Sequence, residues 1–144
     1  MAGQPDDLKR VPMFGGLGDR QLKRLARDFR ERDYDSGMNV VRQGQMSGIG
    51  FFVITEGEAS VSVDGAEVGR LGAGDHFGEL GLISERVRTA TVRAETRLRC
   101  LELTSWDFQR VVEENPDVAW KLLQHLADRL AEAEERGRAS TTSA

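Results

Sequence analysis

The sequence has one cysteine, two histidines and no long apolar run, and each shortage excludes a class of protein. A single thiol, Cys100, cannot form an intramolecular disulfide, which excludes a disulfide-stabilised scaffold. The longest apolar stretch, residues 48–55, is too short to cross a bilayer. No apolar segment follows a basic N-terminus, as a secretory signal would require. We therefore expect a cytoplasmic location and no insertion into a membrane.

Neither sign of charge dominates the chain. Its 20 basic and 24 acidic side chains leave a net charge of -4, and the basic residues are spread along the sequence. This distribution argues against a nucleic-acid-binding surface, and no helix-turn-helix is recognisable. A length of 144 residues suits one domain with one core. The arginine- and alanine-rich, lysine-poor composition favours a bacterial origin.

Catalytic and metal-binding patterns are also missing. His76 and His125 stand apart, and no cluster of histidine, cysteine and carboxylate residues has metal-ligand spacing. No nucleophile has a base beside it, and Cys100 is expected to be a small buried apolar group. We predict a protein that is not an enzyme and holds no metal or cofactor. A metal-dependent β-barrel enzyme of the cupin type stays as an alternative, which metal in the purified protein would support.

The residue pattern divides the chain into three stretches. Apolar side chains at helical spacing predict short helices within residues 5–30, separated by a glycine-rich break at residues 15–18. Residues 30–103 are short β-branched and aromatic runs separated by turn signals, and the clearest pair is a hairpin turning at Asp64-Gly65 with one face buried. Residues 104–136 predict two more helices, and residues 137–144 a flexible tail.

Individual residues refine the helix predictions. Asp19 is a candidate N-cap for the second helix, and Thr104 begins the third with Asp107 three residues later. Asn115-Pro116 interrupts the C-terminal helices. Trp106, Trp120 and the leucines of the last helix are predicted core residues.

The fold class follows from the spacing of the turns. Turn signals about ten residues apart leave no room for crossover helices and indicate antiparallel pairing. We predict a mainly β fold with flanking helices: an antiparallel β-roll or jelly-roll barrel (double-stranded β-helix) whose strands close on themselves. Residues 1–136 are expected to form this single domain.

One segment, residues 77–92, differs from the rest because it reads as a helical turn, a loop and a strand. Its chemistry suits a cyclic phosphodiester, which needs a cationic partner for its charge and an acceptor for the ribose hydroxyl. Arg88 supplies a planar fork of donors, and Glu79 supplies the acceptor. Backbone amides at the start of the short helix add positive potential. Glu79 and Arg88 can also form a structural salt bridge with each other.

This segment resembles the phosphate-binding cassette of the cyclic nucleotide-binding domain family, found in catabolite activators, kinase regulatory subunits and cyclic nucleotide-gated channels. The matching residues are Phe77-Gly78-Glu79-Leu80, Gly81, Leu82 and Arg88-Thr89-Ala90. Upstream matches are Arg42-Gln43-Gly44-Gln45, residues 51–57 and residues 71–75. The resemblance covers residues 8–136. Val87 stands where many relatives have proline, which loosens the loop.

The resemblance implies a role for each matching residue. Glu79 takes the ribose 2'-hydroxyl, Arg88 pairs with the cyclic phosphate, and Thr89 lies near the base. Leu82 shifts when the cassette tightens. Gly78, Leu80, Gly81 and Ala90 complete the predicted ligand-binding set, with backbone amides near Gly81 and Ala90 facing the anion.

The resemblance also implies a mechanism in which the last two helices repack over the roll when ligand binds. Leu126, Arg129 and Leu130 of the last helix are a predicted lid over the base. We expect a stand-alone regulatory sensor that binds cAMP in preference to cGMP, although Thr89 is compatible with both. It would act through a separate effector protein or as a homodimer through the C-terminal helix. The alternative is a scaffold that keeps the fold and binds no ligand.

Overall fold

A computed structural model of the chain describes residues 5–11, 14–45, 50–78 and 88–142. Two short helices, α1 (Pro5–Lys9) and α2 (Asp19–Ala26), precede the strands, and α3 (Ser105–Glu114) and α4 (Pro116–Thr142) follow them. The strands are β1 (Arg30–Tyr34), β2 (Asn39–Val41), β3 (Phe51–Glu56), β4 (Ala59–Val63), β5 (Ala66–Leu71), β6 (His76–Phe77), β7 (Thr91–Ala94) and β8 (Leu98–Leu103). The predicted arrangement of a β region between helical ends is confirmed.

The strands form two four-stranded sheets, with the orders β1-β8-β3-β6 and β2-β7-β4-β5. All strand pairs in them are antiparallel, which confirms the predicted β class. Among the described strands, only β4 and β5 are consecutive members of one sheet, so the chain passes repeatedly between the sheets as a roll. The predicted closure into a barrel is not seen, because the described strands hydrogen-bond within two separate sheets.

The predicted hairpin is β4–β5. Its turn residues, Asp64 and Gly65, have φ values of 53° and 82°, the left-handed conformation that a tight two-residue hairpin turn requires. Burial follows the prediction only near the base, where Ala59 and Ser60 are buried, whereas Val68 is exposed. The reason is that β5 is an edge strand with a neighbour on one side.

Apolar side chains form two cores, one on each face of the first sheet. The inner core lies between the sheets and contains Val41, Phe52, Ile54, Ala59, Val92, Ala94, Leu98 and Cys100. The outer core packs the helices against β3 and β8 and contains Leu8, Val11, Phe14, Leu17, Leu22, Leu25, Ala26, Phe29, Phe51, Val53, Leu101, Leu103, Phe108, Val111, Val118 and Leu122. Alternation along β3 and β8 therefore sends neighbouring residues into different cores.

Three phenylalanines attach the N-terminal helices to the first sheet. Phe14, Phe29 and Phe51 meet edge to face, with ring centroids 5.9 to 6.4 Å apart. All three are fully buried. Such aromatic pairs favour edge-to-face contact because the positive ring edge meets the negative face. This cluster fixes the start of β3, which leads into the candidate site.

Helix ends agree with the sequence in two places and differ in two. Thr104 caps α3 by accepting a hydrogen bond from the Asp107 N–H at 3.2 Å, and the chain breaks at Asn115 before α4, as predicted. The N-cap of α2 is Gly18, with Asp19 in the first turn, so the prediction for Asp19 is wrong. Helix α4 continues to Thr142, so residues 137–142 are helical.

The prediction that both tryptophans are core residues is wrong. Trp106 is 72% exposed and Trp120 is 62% exposed. The buried residues of α4, Val118 and Leu122, are four apart and share one face, while Trp120 lies halfway between them on the opposite face. Trp106 likewise precedes the buried Phe108 by half a turn.

Polar contacts join the N-terminal helices to the break between α3 and α4. Arg24 donates to the Asn115 side-chain oxygen at 3.2 Å, and Arg110 pairs with Asp28 at 2.6 Å. Asn115 also donates to the Val111 carbonyl at 2.9 Å, closing the end of α3. In the part of the chain that the structure describes, no helix combines the length and apolar character that a membrane crossing needs.

Candidate anion-binding site

Four of the predicted ligand-binding residues, Gly78, Arg88, Thr89 and Ala90, are described by the structure. Their predicted partners Glu79, Leu80, Gly81 and Leu82 lie outside the described residues. The geometry at the two ends of the segment therefore defines the candidate site. Gly78 directly follows β6, and Arg88 precedes β7 by three residues.

The backbone of Arg88 is fixed on both sides by the turn after β2. The Arg88 N–H donates to the Gln45 carbonyl at 2.6 Å, and the Arg88 carbonyl accepts from the Gly44 N–H at 2.9 Å. These two bonds extend the β2–β7 pairing beyond the strands themselves. The arginine therefore has a defined backbone position at the edge of the second sheet.

The Arg88 guanidinium points into the protein. The residue is 7% exposed, and its Nη2 donates to the Gly50 carbonyl at 2.7 Å. Its Nε is buried without a hydrogen-bond partner. Burial lowers the pKa of Arg88 below its usual value, because desolvation disfavours the charged form. A cation in this position needs an anionic partner to offset the loss of water.

Gly78 is required by the position of that guanidinium. Its φ is 84°, and a Cβ there would lie 2.7 Å from the Gly50 carbonyl oxygen and 2.8 Å from Arg88 Nη1. Gly50 has a φ of 131°, and its Cβ would overlap the Leu103 carbonyl. Two glycines from different strand ends thus leave the space in which the guanidinium lies.

Sequence reasoning did not single out Gly50, whose carbonyl is the described hydrogen-bond acceptor of the Arg88 side chain. The available signal was a glycine placed directly before the apolar run of β3. Thr89 is exposed and Ala90 half-buried, both in a bend that leads into β7. The structure thus brings Gly78 and Arg88 into contact, with Thr89 and Ala90 adjacent in sequence.

Aromatic and charged side chains line the same face of the first sheet. Phe52 and Phe77 stack at a centroid distance of 4.9 Å with nearly parallel rings. The neighbouring residue on β8, opposite Phe52, is the buried Glu102. Arg32 lies 3.8 Å from this carboxylate, yet burial outweighs the arginine charge and raises the pKa of Glu102.

The predicted lid residues lie on α4 beyond its buried turns. Leu126 is half-buried, while Arg129 and Leu130 are exposed. Helix α4 packs chiefly on α3. Within residues 5–11, 14–45, 50–78 and 88–142, no group of three or more histidine, cysteine or carboxylate side chains is placed to hold a metal ion.

The sequence profile of the cyclic nucleotide-binding domain matches residues 31–115, more than half of the chain. The chain belongs to the cyclic nucleotide-binding domain family. The matched residues run from β1 to the end of α3 and include both Gly78 and Arg88.

Solved structures of related proteins agree with the fold. The N-terminal domain of a transcriptional regulator from Streptomyces coelicolor A3(2) is 32% identical, with a TM-score of 0.81 over 90% of this chain and 96% of that one. Thermus thermophilus catabolite activator protein is 27% identical, with a TM-score of 0.76 over 91% of this chain and 63% of that one. Antiparallel sheets with flanking helices are therefore confirmed as the architecture.

Curated relatives are longer proteins. A cyclic nucleotide-gated potassium channel of Rhizobium etli is 38% identical over 109 residues, which are 76% of this chain and 30% of the channel. A cAMP-dependent protein kinase regulatory subunit of Schizosaccharomyces pombe is 40% identical over 106 residues, which are 73% of this chain and 26% of the subunit. The chain spans less than a third of the length of either relative.

Proposed function

We propose that this cyclic nucleotide-binding domain binds a cyclic nucleoside monophosphate through Arg88, which holds the cyclic phosphate. The observation that carries the proposal is the buried guanidinium, which uses Nη2 on the Gly50 carbonyl and has an unsatisfied Nε. Among the described residues no carboxylate forms an ion pair with Arg88, and burial alone accounts for its lowered pKa. A cyclic phosphate supplies one negative charge and oxygens that match a planar fork of donors.

The remaining contacts of the ligand are proposals based on the family resemblance. Glu79 would accept from the ribose 2'-hydroxyl, and Leu80, Gly81 and Leu82 would complete the turn around the phosphate. Thr89 would lie near the base. We propose cAMP as the preferred ligand, because the Schizosaccharomyces pombe relative is named as the regulatory subunit of a cAMP-dependent kinase.

We further propose that the domain acts by binding rather than by catalysis, as a regulatory sensor in the cytoplasm. Its output would be a movement of α3 and α4 about the break at Asn115, which ligand binding would favour by population shift. In that movement Leu126, Arg129 and Leu130 would close over the base. The polar contacts of Arg24 with Asn115 and of Arg110 with Asp28 would have to change as the helices move.

The proposed partner is a second copy of the chain, bound through α4. Leu123 and Leu130 are 58% and 62% exposed, and with Leu126 and Ala133 they repeat at intervals of three and four residues, the spacing of a coiled-coil seam. In a parallel pair, Arg129 of one copy would flank the seam opposite Glu134 of the second. Leu126 and Leu130 would then serve either the seam or the lid, and measurement of the oligomeric state with and without ligand separates these roles.

Thermal unfolding in the presence of nucleotides tests the proposed function. A ligand that binds only the folded chain raises the midpoint in proportion to its concentration relative to Kd. We expect stabilisation by cAMP, less by cGMP, and little by the open-chain 5'-AMP, which lacks the cyclic phosphodiester. No response to any cyclic nucleotide would contradict the proposal and favour a scaffold without ligand.

A further inference from the structure

The side chain of Gln43 is fully engaged with one residue of the β4–β5 hairpin. Its Oε1 accepts a hydrogen bond from the Asp64 N–H at 2.8 Å, and its Nε2 donates to Asp64 Oδ1 at 2.9 Å. Asp64 is the turn residue with a φ of 53°, a conformation uncommon outside glycine. One amide thus binds both the backbone and the side chain of this turn.

The position of this pair in the sheet makes it a bridge. Strand β7 lies between β2 and β4; Gln43 follows β2, and Asp64 directly follows β4. Because neighbouring strands are about 4.8 Å apart, β2 and β4 are separated by roughly 10 Å. The Gln43 side chain therefore reaches across the N-terminal end of β7, whose first residue, Thr91, accepts from the Gln43 N–H at 2.9 Å.

The bridge is adjacent to the backbone that holds Arg88. The two residues after Gln43 make the bonds that fix Arg88, from the Gly44 N–H to the Arg88 carbonyl and from the Arg88 N–H to the Gln45 carbonyl. The segment 43–45 is thus bound to the hairpin turn by a side chain and to Arg88 by its backbone. A shift of this segment would move Arg88 with it.

We propose that the Gln43–Asp64 pair is a clasp that positions Arg88 for the anion, with Gln43 as a positioning residue. The inference rests on the proposed function, because the ligand is the anion that Arg88 would hold. The clasp explains why a polar bridge lies at this end of the sheet, where both side chains are exposed and belong to neither core. Its loss therefore affects the position of Arg88 and the affinity for anion, while the fold stays intact.

A swap of the two side-chain groups tests the clasp. Gln43→Glu removes the Nε2 donor and places two carboxylates together, so we expect cAMP affinity to fall about fivefold to tenfold, mainly through faster dissociation. Asp64→Asn keeps an oxygen acceptor and tolerates the left-handed turn, so we expect affinity within about twofold of wild type. The double variant Gln43→Glu/Asp64→Asn restores a donor and an acceptor in reversed order, and we expect its affinity to recover.

Gln109→Glu is the matched control. Gln109 is also an exposed glutamine bonded to a carboxylate, with its Nε2 3.1 Å from Glu113 Oε1, but it lies on α3 away from the site. Its substitution should leave cAMP affinity unchanged. A clasp variant that binds like wild type, or a double variant that fails to recover, would overturn the proposal.

Amide hydrogen exchange separates failure of the clasp from failure of the proposed function. The Gly44 and Arg88 N–H groups, measured by NMR without ligand, should exchange about fivefold or more faster in Gln43→Glu, and at the wild-type rate in the double variant. If wild type binds no cyclic nucleotide but exchange follows this pattern, the clasp is supported and the proposed ligand is wrong. If exchange at Arg88 is the same in all variants, the clasp does not position Arg88.

Discussion

At the scale of single residues, the candidate site depends on two glycines as much as on the arginine. Gly50 contributes the carbonyl that accepts from Arg88, and Gly78 contributes the empty volume beside Nη1. Both have positive φ values, so an L side chain would add backbone strain to the steric conflict. The guanidinium has its observed position because neither neighbour has a Cβ.

Gly78→Ala tests this dependence. The new Cβ must displace either the Gly50 carbonyl or the Arg88 side chain, so we expect a loss of stability of about 2 kcal/mol or more and a loss of cAMP affinity above about tenfold. Gly65→Ala is the control, because Gly65 has a similar φ of 82° and no atom within 4 Å of the added Cβ. It should cost about 1 kcal/mol and leave affinity unchanged. Equal effects of the two variants in denaturation and titration would contradict the steric explanation.

Glu102 predicts a pH dependence of stability. Burial raises its pKa above the ordinary value of 4.5, against the opposing charges of Arg32 and Arg30. The folded chain therefore keeps this proton at pH values where the unfolded carboxyl has lost it, so stability falls as pH rises above 4.5.

Glu102→Gln cannot ionise, and we expect it to gain stability relative to wild type between about pH 4 and pH 7 in urea unfolding. A difference between variant and wild type that does not change with pH would show that burial does not govern this carboxyl.

Residue chemistry at the site was only partly predictable from sequence. Arg88 was predictable because a planar cation near glycines suits a phosphate, and the structure adds that it is buried and incompletely hydrogen-bonded. Gly50, Glu102 and the Gln43–Asp64 clasp were not predictable as contacts, because strand register and the turn after β2 bring residues far apart in sequence together.

At the scale of elements, the start of α3 is determined by local chemistry. The Thr104 hydroxyl accepts from the Asp107 N–H, satisfying one of the free donors of the first turn. Thr104→Ala should destabilise the chain by about 1 kcal/mol, which corresponds to a fall in Tm of roughly 3 °C at this size.

Thr104→Ser keeps the hydroxyl and is the matched control, with an expected Tm close to wild type. A Tm for Thr104→Ala that equals that of Thr104→Ser would mean that the cap is not stabilising α3.

Element boundaries followed from the sequence where punctuation was strong. Asp64-Gly65 and Asn115-Pro116 mark a turn and a helix break because few other conformations suit these residues. The face of each C-terminal helix was less predictable, since α3 and α4 have apolar residues on more than one side. Tertiary packing chose Val118 and Leu122 for the core and left Trp120 exposed.

At the scale of the whole molecule, the roll is anchored to helices whose last member extends well beyond its buried turns. The exposed seam of Leu123, Leu126, Leu130 and Ala133 predicts a dimer through α4. Leu130→Glu should weaken dimerisation by about tenfold or more, because it places two like charges at the seam. Sedimentation equilibrium measures this effect.

Ala131→Glu adds the same charge one position off the seam and should leave the dimer intact. A wild-type chain that sediments as a monomer at all concentrations, with or without cAMP, would contradict the proposed partner.

The overall architecture was predictable because turn spacing excludes crossover helices and favours antiparallel pairing. The division into two separate sheets was not, since closure depends on twist and register rather than on residue pattern. The length of α4 was underestimated because Gly137 suggested an end, whereas the helix continues through it.

Isothermal titration with cAMP, comparing wild type with Arg88→Ala, tests the central claim most directly. Arg93→Ala is the control, because Arg93 is an exposed arginine on β7 close to the same site. We expect saturable binding to wild type and to Arg93→Ala, and a loss of about 2 to 5 kcal/mol of binding free energy in Arg88→Ala, the range for removing one member of a buried charge pair. Binding to Arg88→Ala within about tenfold of wild type would mean that Arg88 does not hold the phosphate.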